Sequence, residues 1–139
     1  MDKKKIILDF IKKHKIAVIA TVSPENKPEA AVVEFGETDD FELIFDADKD
    51  SRKMQNIRKN NYVAFVIGWD EDITIQYEGE AYEISDNELG DYKGMYFAKN
   101  PNAKKWEKVE GIKFFKVSPK WIRYSDLNKD PWDIFEIEF

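Results

Sequence analysis

A chain of 139 residues, 42% hydrophobic and 14% aromatic, has the size and apolar content of one domain with a real core. Its formal net charge of -6 argues against a protein built to grip nucleic-acid backbones, but leaves room for one local basic pocket. The lack of cysteine removes disulfides, thiol nucleophiles, iron–sulfur clusters and thiolate zinc sites, and fits a reducing cytosol.

The basic start "MDKKKIILDFIKKHK" is too broken by charge for a signal peptide, and no run approaches the ~18 apolar residues of a membrane span. The expectation is a soluble cytoplasmic protein with neither membrane nor nucleic-acid partners. No repeat or linker divides the chain, so residues 1–139 read as one domain.

From Lys4 to about His14, Ile7, Phe10, Ile11 and His14 recur at helical spacing, which predicts a short amphipathic helix. "IAVIATV", Ile16 to Val22, has the apolar, β-branched pattern of a strand buried on both faces. After the turn "SPENKP", "EAAVVEF" alternates Ala31, Val33 and Phe35 with Ala30, Val32 and Glu34. A third strand spans Phe41 to Ala47, and a short helix runs from about Ser51 to Lys59 with Met54 and Ile57 as its buried pair. "YVAFVIGW", Tyr62 to Trp69, reads as another fully apolar strand.

The acidic turn Asp70, Glu71, Asp72 reads as solvated. It leads to "ITIQYEGEAYEI", where Gly79 inside an alternating strand marks a bulge or tight bend. A helix from Asn87 to about Lys99 buries Leu89, Tyr92 and Tyr96, and two strands, "IKFFKV" and "WIRYSDL", are broken by Ser118-Pro119. Short alternating strands separated by turn signals imply a closed or nearly closed β-barrel with helices outside.

The stretch "DKDSRKMQNIRKN", Asp48 to Asn60, starts its helix with the wrong charge. Asp50 is the candidate N-cap, and Ser51, Arg52 and Lys53 follow it. The first turn of a helix is already electropositive, so two cations there cost a few tenths to about 1 kcal/mol. A bound anion would reverse that cost, because free N–H groups, the dipole and a forked guanidinium together suit a phosphate monoester. The alternative is a solvated face with both cations paired to Asp46, Asp48 or Asp50. Trp69 and Gln76 lie next in sequence and could meet a flat, polar-edged ring. Phosphate at one end and a planar heterocycle at the other describe a nucleotide-like cofactor such as flavin mononucleotide, FMN.

The order of elements resembles the pyridoxamine 5'-phosphate oxidase-like family of FMN-binding split barrels. The resemblance runs from "IAVIATVSPENKPEAAVVEF" through "LIFDADKDSRKMQNIRKNNYVAFVIGW" and "QYEGEAYEI" to "FFKVSPKWIRYSDL". It implies a mainly β split barrel of Greek-key type with peripheral helices, and a homodimer with FMN at the subunit interface. By the resemblance, Arg52 and Lys53 with Ser51 hold the FMN phosphate, Ala31, Val32, Val33 and Glu34 run along the flavin ring, and Asp46 and Ala47 touch it from the next strand. Either Thr74 or Gln76 supplies a polar contact, and Trp69 is placed near the cofactor.

The departures bear on substrate. Ala31 stands where the oxidases place an Arg, so phosphate charge rests on Arg52 and Lys53. The oxidases' substrate-phosphate segment, Tyr-Phe-x-x-Arg-Pro-x-x-Ser, corresponds to "YFAKNPNAK", which keeps Tyr96 and Phe97 but has Asn100 for Arg and Lys104 for Ser. Tyr96 and Lys104 remain as substrate-binding candidates, with Lys104 or Lys105 a partial substitute for the lost donor. The oxidases' Arg-Leu tail has no counterpart in "DPWDIFEIEF". Pyridoxamine 5'-phosphate oxidase activity itself is therefore not expected.

His14, at a helix end, reads as structural, and one histidine without cysteine argues against a transition-metal site. Trp106, Trp121 and Trp132 read as core or dimer-contact aromatics. No residue is assigned a catalytic role, since a flavin carries its own redox chemistry. The expectation is a flavin-dependent oxidoreductase passing electrons from a reduced nicotinamide to a small acceptor. The alternative is a non-catalytic module that holds flavin, deazaflavin or haem.

Overall fold

The computed structural model describes all residues, 1–139. Helix α1 (Lys3–Lys12) is capped by Asp2, whose carboxylate accepts from the Lys5 N–H at 3.1 Å, and it buries Ile7, Phe10 and Ile11. His14, just past its end, packs its ring on Phe10 and donates from Nδ1 to the Phe10 carbonyl at 2.8 Å. This is the structural role that its position implied.

Strands β1 (Ile16–Val22), β2 (Pro28–Glu34), β3 (Gly36–Glu37) and β4 (Leu43–Asp48) precede helix α2 (Arg52–Lys59). Strands β5 (Tyr62–Ile67) and β6 (Ile73–Glu83) follow, then helix α3 (Asp86–Lys99) and a 3-10 turn over Pro101–Trp106. Strands β7 (Ile112–Asp126) and β8 (Asp133–Glu138) complete the chain. All pairings are antiparallel, in one 8-stranded sheet of order β2-β1-β5-β6-β7-β4-β3, with β8 on β7.

The sheet curls until β2 approaches β4 without a ladder between them, which makes a split barrel. The chain leaves β4 at one side and returns through α2 to lie beside β1, the non-consecutive step of a Greek key. Phe45, Phe65, Tyr77 and Phe115 fill the interior, with Ile7 and Ile11 from α1 and Met54 and Ile57 from α2 joining the same core. A smaller cluster, Ile44, Ile84, Tyr96, Ala103 and Phe114, lies under α3.

Several elements differ from the sequence reading. Strand β1 is buried on one face only: Ala17, Ile19 and Thr21 point inward, while Val18, Ala20 and Val22 are half-buried. No second layer covers its outer face within one chain. The strand buried on both faces is β4, where Leu43, Phe45 and Ala47 face the barrel and Ile44 lies under α3. In α3, Tyr96 is buried, but Leu89 and Tyr92 only half so.

Ser118-Pro119 does not break the last strand. The two stretches form a single strand, β7, which pairs with β4 up to Val117 and with β8 from Trp121 on the same side. Pro119 therefore falls in the gap between two partners, where its missing N–H leaves no ladder bond unmade. Gly79 sits opposite Pro119 at a register shift after Glu78, the expected bulge. A Cβ there would lie 2.4 Å from the Ser118 carbonyl oxygen, so the close approach requires glycine. Strand β8 was not anticipated, although Ile134, Phe135 and Ile137 supply apolar side chains for pairing on β7.

Candidate functional site

The N-cap of α2 is Ser51, not Asp50. A turn closed by the Ser51 N–H on the Asp48 carbonyl at 3.0 Å leaves Asp50 outside the helix. The Ser51 hydroxyl accepts from the Met54 N–H at 3.3 Å and donates to the Asp48 carbonyl at 2.7 Å. Arg52 and Lys53 thus occupy the first two helical positions, with no acid in the first turn to offset them. Their own N–H groups have no partner within the helix.

These residues line a depression of about 100 Å³ with Ile19, Thr21, Glu29, Ala30 and Ala31. A second depression, about 330 Å³, is lined by Val32, Val33, Glu34, Asp46, Lys53, Tyr96 and Trp106, among others. Lys53 borders both. Between them runs β2, whose residues Ala31, Val32 and Glu34 are exposed while Val33 turns inward. The cleft made of these two depressions, with Lys53 between them, runs from a helix N-terminus along an open stretch of strand.

Its electrostatics are mixed. Arg52 Nη1 donates to Glu29 Oε2 at 3.2 Å, so its counter-ion is neither Asp46, Asp48 nor Asp50. Burial, and secondly the charge of Glu34, push the Asp46 carboxyl above its ordinary range, with Lys53 opposing. Burial and the neighbouring Asp46 raise the Tyr96 phenol strongly, so this hydroxyl stays protonated. Ala47 is buried in the barrel core and lines neither depression.

Not all expected residues meet here. Gln76 lies on the outer face of the sheet in a separate depression with Val18, Ala64, Val66 and Trp121. Trp69, half exposed, and Thr74 line neither part of the cleft. Lys104 borders another surface hollow with Lys93, Phe97 and Glu107, apart from Tyr96. Asn100 is buried as the C-cap of α3. Trp132 is exposed rather than part of a core. Trp106 lines the cleft, a place nothing in its sequence context signalled.

Residues 4–126 match the sequence family described as pyridoxamine 5'-phosphate oxidase. The chain belongs to that family. It is 32% identical over 90 residues to a pyridoxine/pyridoxamine 5'-phosphate oxidase of Gloeothece citriformis, a match over 64% of this chain and 38% of that one. The chain thus spans well under half of that relative's length.

Among solved structures, this family member is similar to the General Stress Protein 26 of Bacillus anthracis, with a TM-score of 0.75, 26% identity and coverage of 99% of this chain and 100% of that one. It also shares its fold with a heme binding protein of Mycobacterium smegmatis, with a TM-score of 0.82, 13% identity and coverage of 97% and 58%. No helix is long and apolar enough to cross a membrane.

Proposed function

We propose that the chain binds FMN in the cleft and acts, as a homodimer, as a flavin-dependent oxidoreductase that passes electrons from a reduced nicotinamide to a small acceptor. The observation that carries this reading is the arrangement of the cleft on either side of Lys53: paired cations and two free helix N–H groups at one end, exposed strand backbone at the other. That donor set fits a phosphate ester, and the wider part fits a flat ring system. Arg52 and Lys53 would hold the phosphate, β2 from Ala31 to Glu34 would flank the ring, and Asp46 would border it.

FMN, when bound, supplies one- and two-electron redox chemistry. The chain's own groups orient it, and the protonated Tyr96 hydroxyl offers a donor in the same cleft. Where the other candidates lie supports a homodimer. Gln76 occupies the outer face of β6 beside the half-exposed Val18, Ala20 and Val66, so one chain alone does not bring it to the cation end. A second copy laid on that apolar face would cover it and bring a second set of side chains to each cleft.

Haem, the ligand named for the mycobacterial structural relative, is disfavoured because His14, the sole histidine, is packed on Phe10 and lines neither part of the cleft. The test is the absorbance of the purified protein and the mass of the molecule released by heat. FMN is expected, lost in the Arg52→Ala, Lys53→Ala double variant while the fold persists. Undiminished flavin in that variant refutes the assignment. Oxidation of reduced nicotinamide by the flavin-loaded protein separates the enzyme from a carrier.

A further inference from the structure

Around the cleft, two cations, Arg52 and Lys53, face three carboxylates, Glu29, Glu34 and Asp46. Glu29 is the one placed inside the phosphate end, and it is held there. Its Oε2 accepts from Arg52 at 3.2 Å and its Oε1 accepts from Asn56 Nδ2 at 2.8 Å. The same Nδ2 donates to Thr21 Oγ1 at 2.9 Å. Asn56 and Thr21 are 3% and 2% exposed, so this amide cannot turn to water, and it fixes the carboxylate toward the guanidinium. Asn56 lies on the buried side of α2 beside Met54 and Ile57, a polar residue on an apolar stripe with its hydrogen bonds as its reason.

Resting on the flavin-phosphate reading, we infer that Glu29 is a built-in competitor for the ligand's phosphate, occupying Arg52 and setting how strongly phosphate-bearing flavin is preferred over flavin without phosphate. A phosphate entering this end shares Arg52 with a carboxylate already in ion-pair distance, and it then lies beside that carboxylate. The pocket consequently holds its phosphate in an exchangeable way, with the helix N–H groups and Lys53, which is in no ion pair, as its remaining donors. The riboflavin moiety, which carries no phosphate, does not meet this competition.

The experiment is equilibrium titration of flavin-stripped full-length protein with FMN and, separately, with riboflavin, followed by flavin fluorescence. Glu29→Gln keeps an oxygen for Asn56 and removes the charge. It is expected to tighten FMN by about tenfold while leaving riboflavin within twofold. Glu29→Ser, which opens Asn56 to water, carries the same expectation should the first variant fold poorly. Unchanged or weakened FMN binding overturns the proposal, weakened binding meaning that Glu29 positions Arg52 rather than competing for its ligand. If neither flavin binds the wild type, the flavin reading fails by itself. Inorganic phosphate, observed by phosphorus NMR line broadening, then decides: greater broadening with Glu29→Gln than with wild type supports the competitor, and equal broadening removes it.

Discussion

Asn100 donates from Nδ2 to the carbonyl oxygen of Phe35 at 2.7 Å, with both residues buried and 65 positions apart. A second, longer bond from the same nitrogen reaches the Tyr96 carbonyl at 3.3 Å. By the sequence resemblance, this asparagine corresponds to the arginine of the oxidases' substrate-phosphate segment. Here the side chain closes the end of α3 onto the strand end after β2, so it is a fastening and not a remnant of a ligand site.

Restoring arginine should therefore fail to restore a phosphate anchor. Asn100→Ala leaves the Phe35 carbonyl without its partner and should cost about 1–3 kcal/mol in urea unfolding. Asn100→Arg should cost at least as much and should give no pyridoxamine 5'-phosphate oxidation. Measurable turnover of that substrate in the arginine variant would show that the site was merely one donor short.

Asp46 makes stability depend on pH with a definite sign. Its folded-state pKa is raised, first by burial and then by Glu34, so the native state binds its proton more tightly than the unfolded chain. The resulting penalty is absent below the ordinary carboxylate range. It sets in as pH rises toward the raised value and is complete above it. Asp46→Asn should therefore raise the midpoint of thermal unfolding at pH 7 and have little effect near pH 3.5. An equal shift at both pH values would assign the gain to something other than ionisation.

Gly79→Ala places a methyl carbon 2.4 Å from the Ser118 carbonyl oxygen and 2.8 Å from Val117 Cγ1. The bulge must open to admit it, at a cost of roughly 1–3 kcal/mol. Thermal unfolding should show the loss. Gly90→Ala and Gly94→Ala, where a Cβ meets nothing within 4 Å, should be neutral or slightly stabilising, since both lie within a helix.

Glu34 shares the cleft with Asp46 and Lys53, and on the flavin reading its carboxylate opposes negative charge gained by a bound flavin on reduction. Glu34→Gln should raise the reduction potential of bound FMN. A rise of about 30 mV in a two-electron couple corresponds to 1.4 kcal/mol. Spectroelectrochemistry that returns the wild-type potential would remove Glu34 from that role.

The barrel was legible because its signals are local. Alternation named β2 and β6, apolar runs named β1 and β5, Gly79 named the bulge, and the spacing of Met54 and Ile57 named the inner face of α2. What escaped notice depends on tertiary placement. Continuous apolar runs look alike whether a strand is covered twice, as β4 is, or once, as β1 is. Pro119 reads as a break unless one knows that β4 ends and β8 begins on either side of it. At the site, the basic pair was visible, but its partner Glu29 lies 23 residues away and no spacing rule connects them. The one available hint was Asn56 on a buried stripe. Trp69 and Gln76 seemed close to the pair in sequence, yet the fold sends them to other surfaces.

Strand β7 is continuous in backbone but has lost one of its two neighbours between Val117 and Trp121. In a deuterium-uptake experiment it should not protect its amides as a unit. The Lys120 amide, which faces the gap, should take up label ahead of both flanking stretches, leaving a slow segment on each side of a leaky seam.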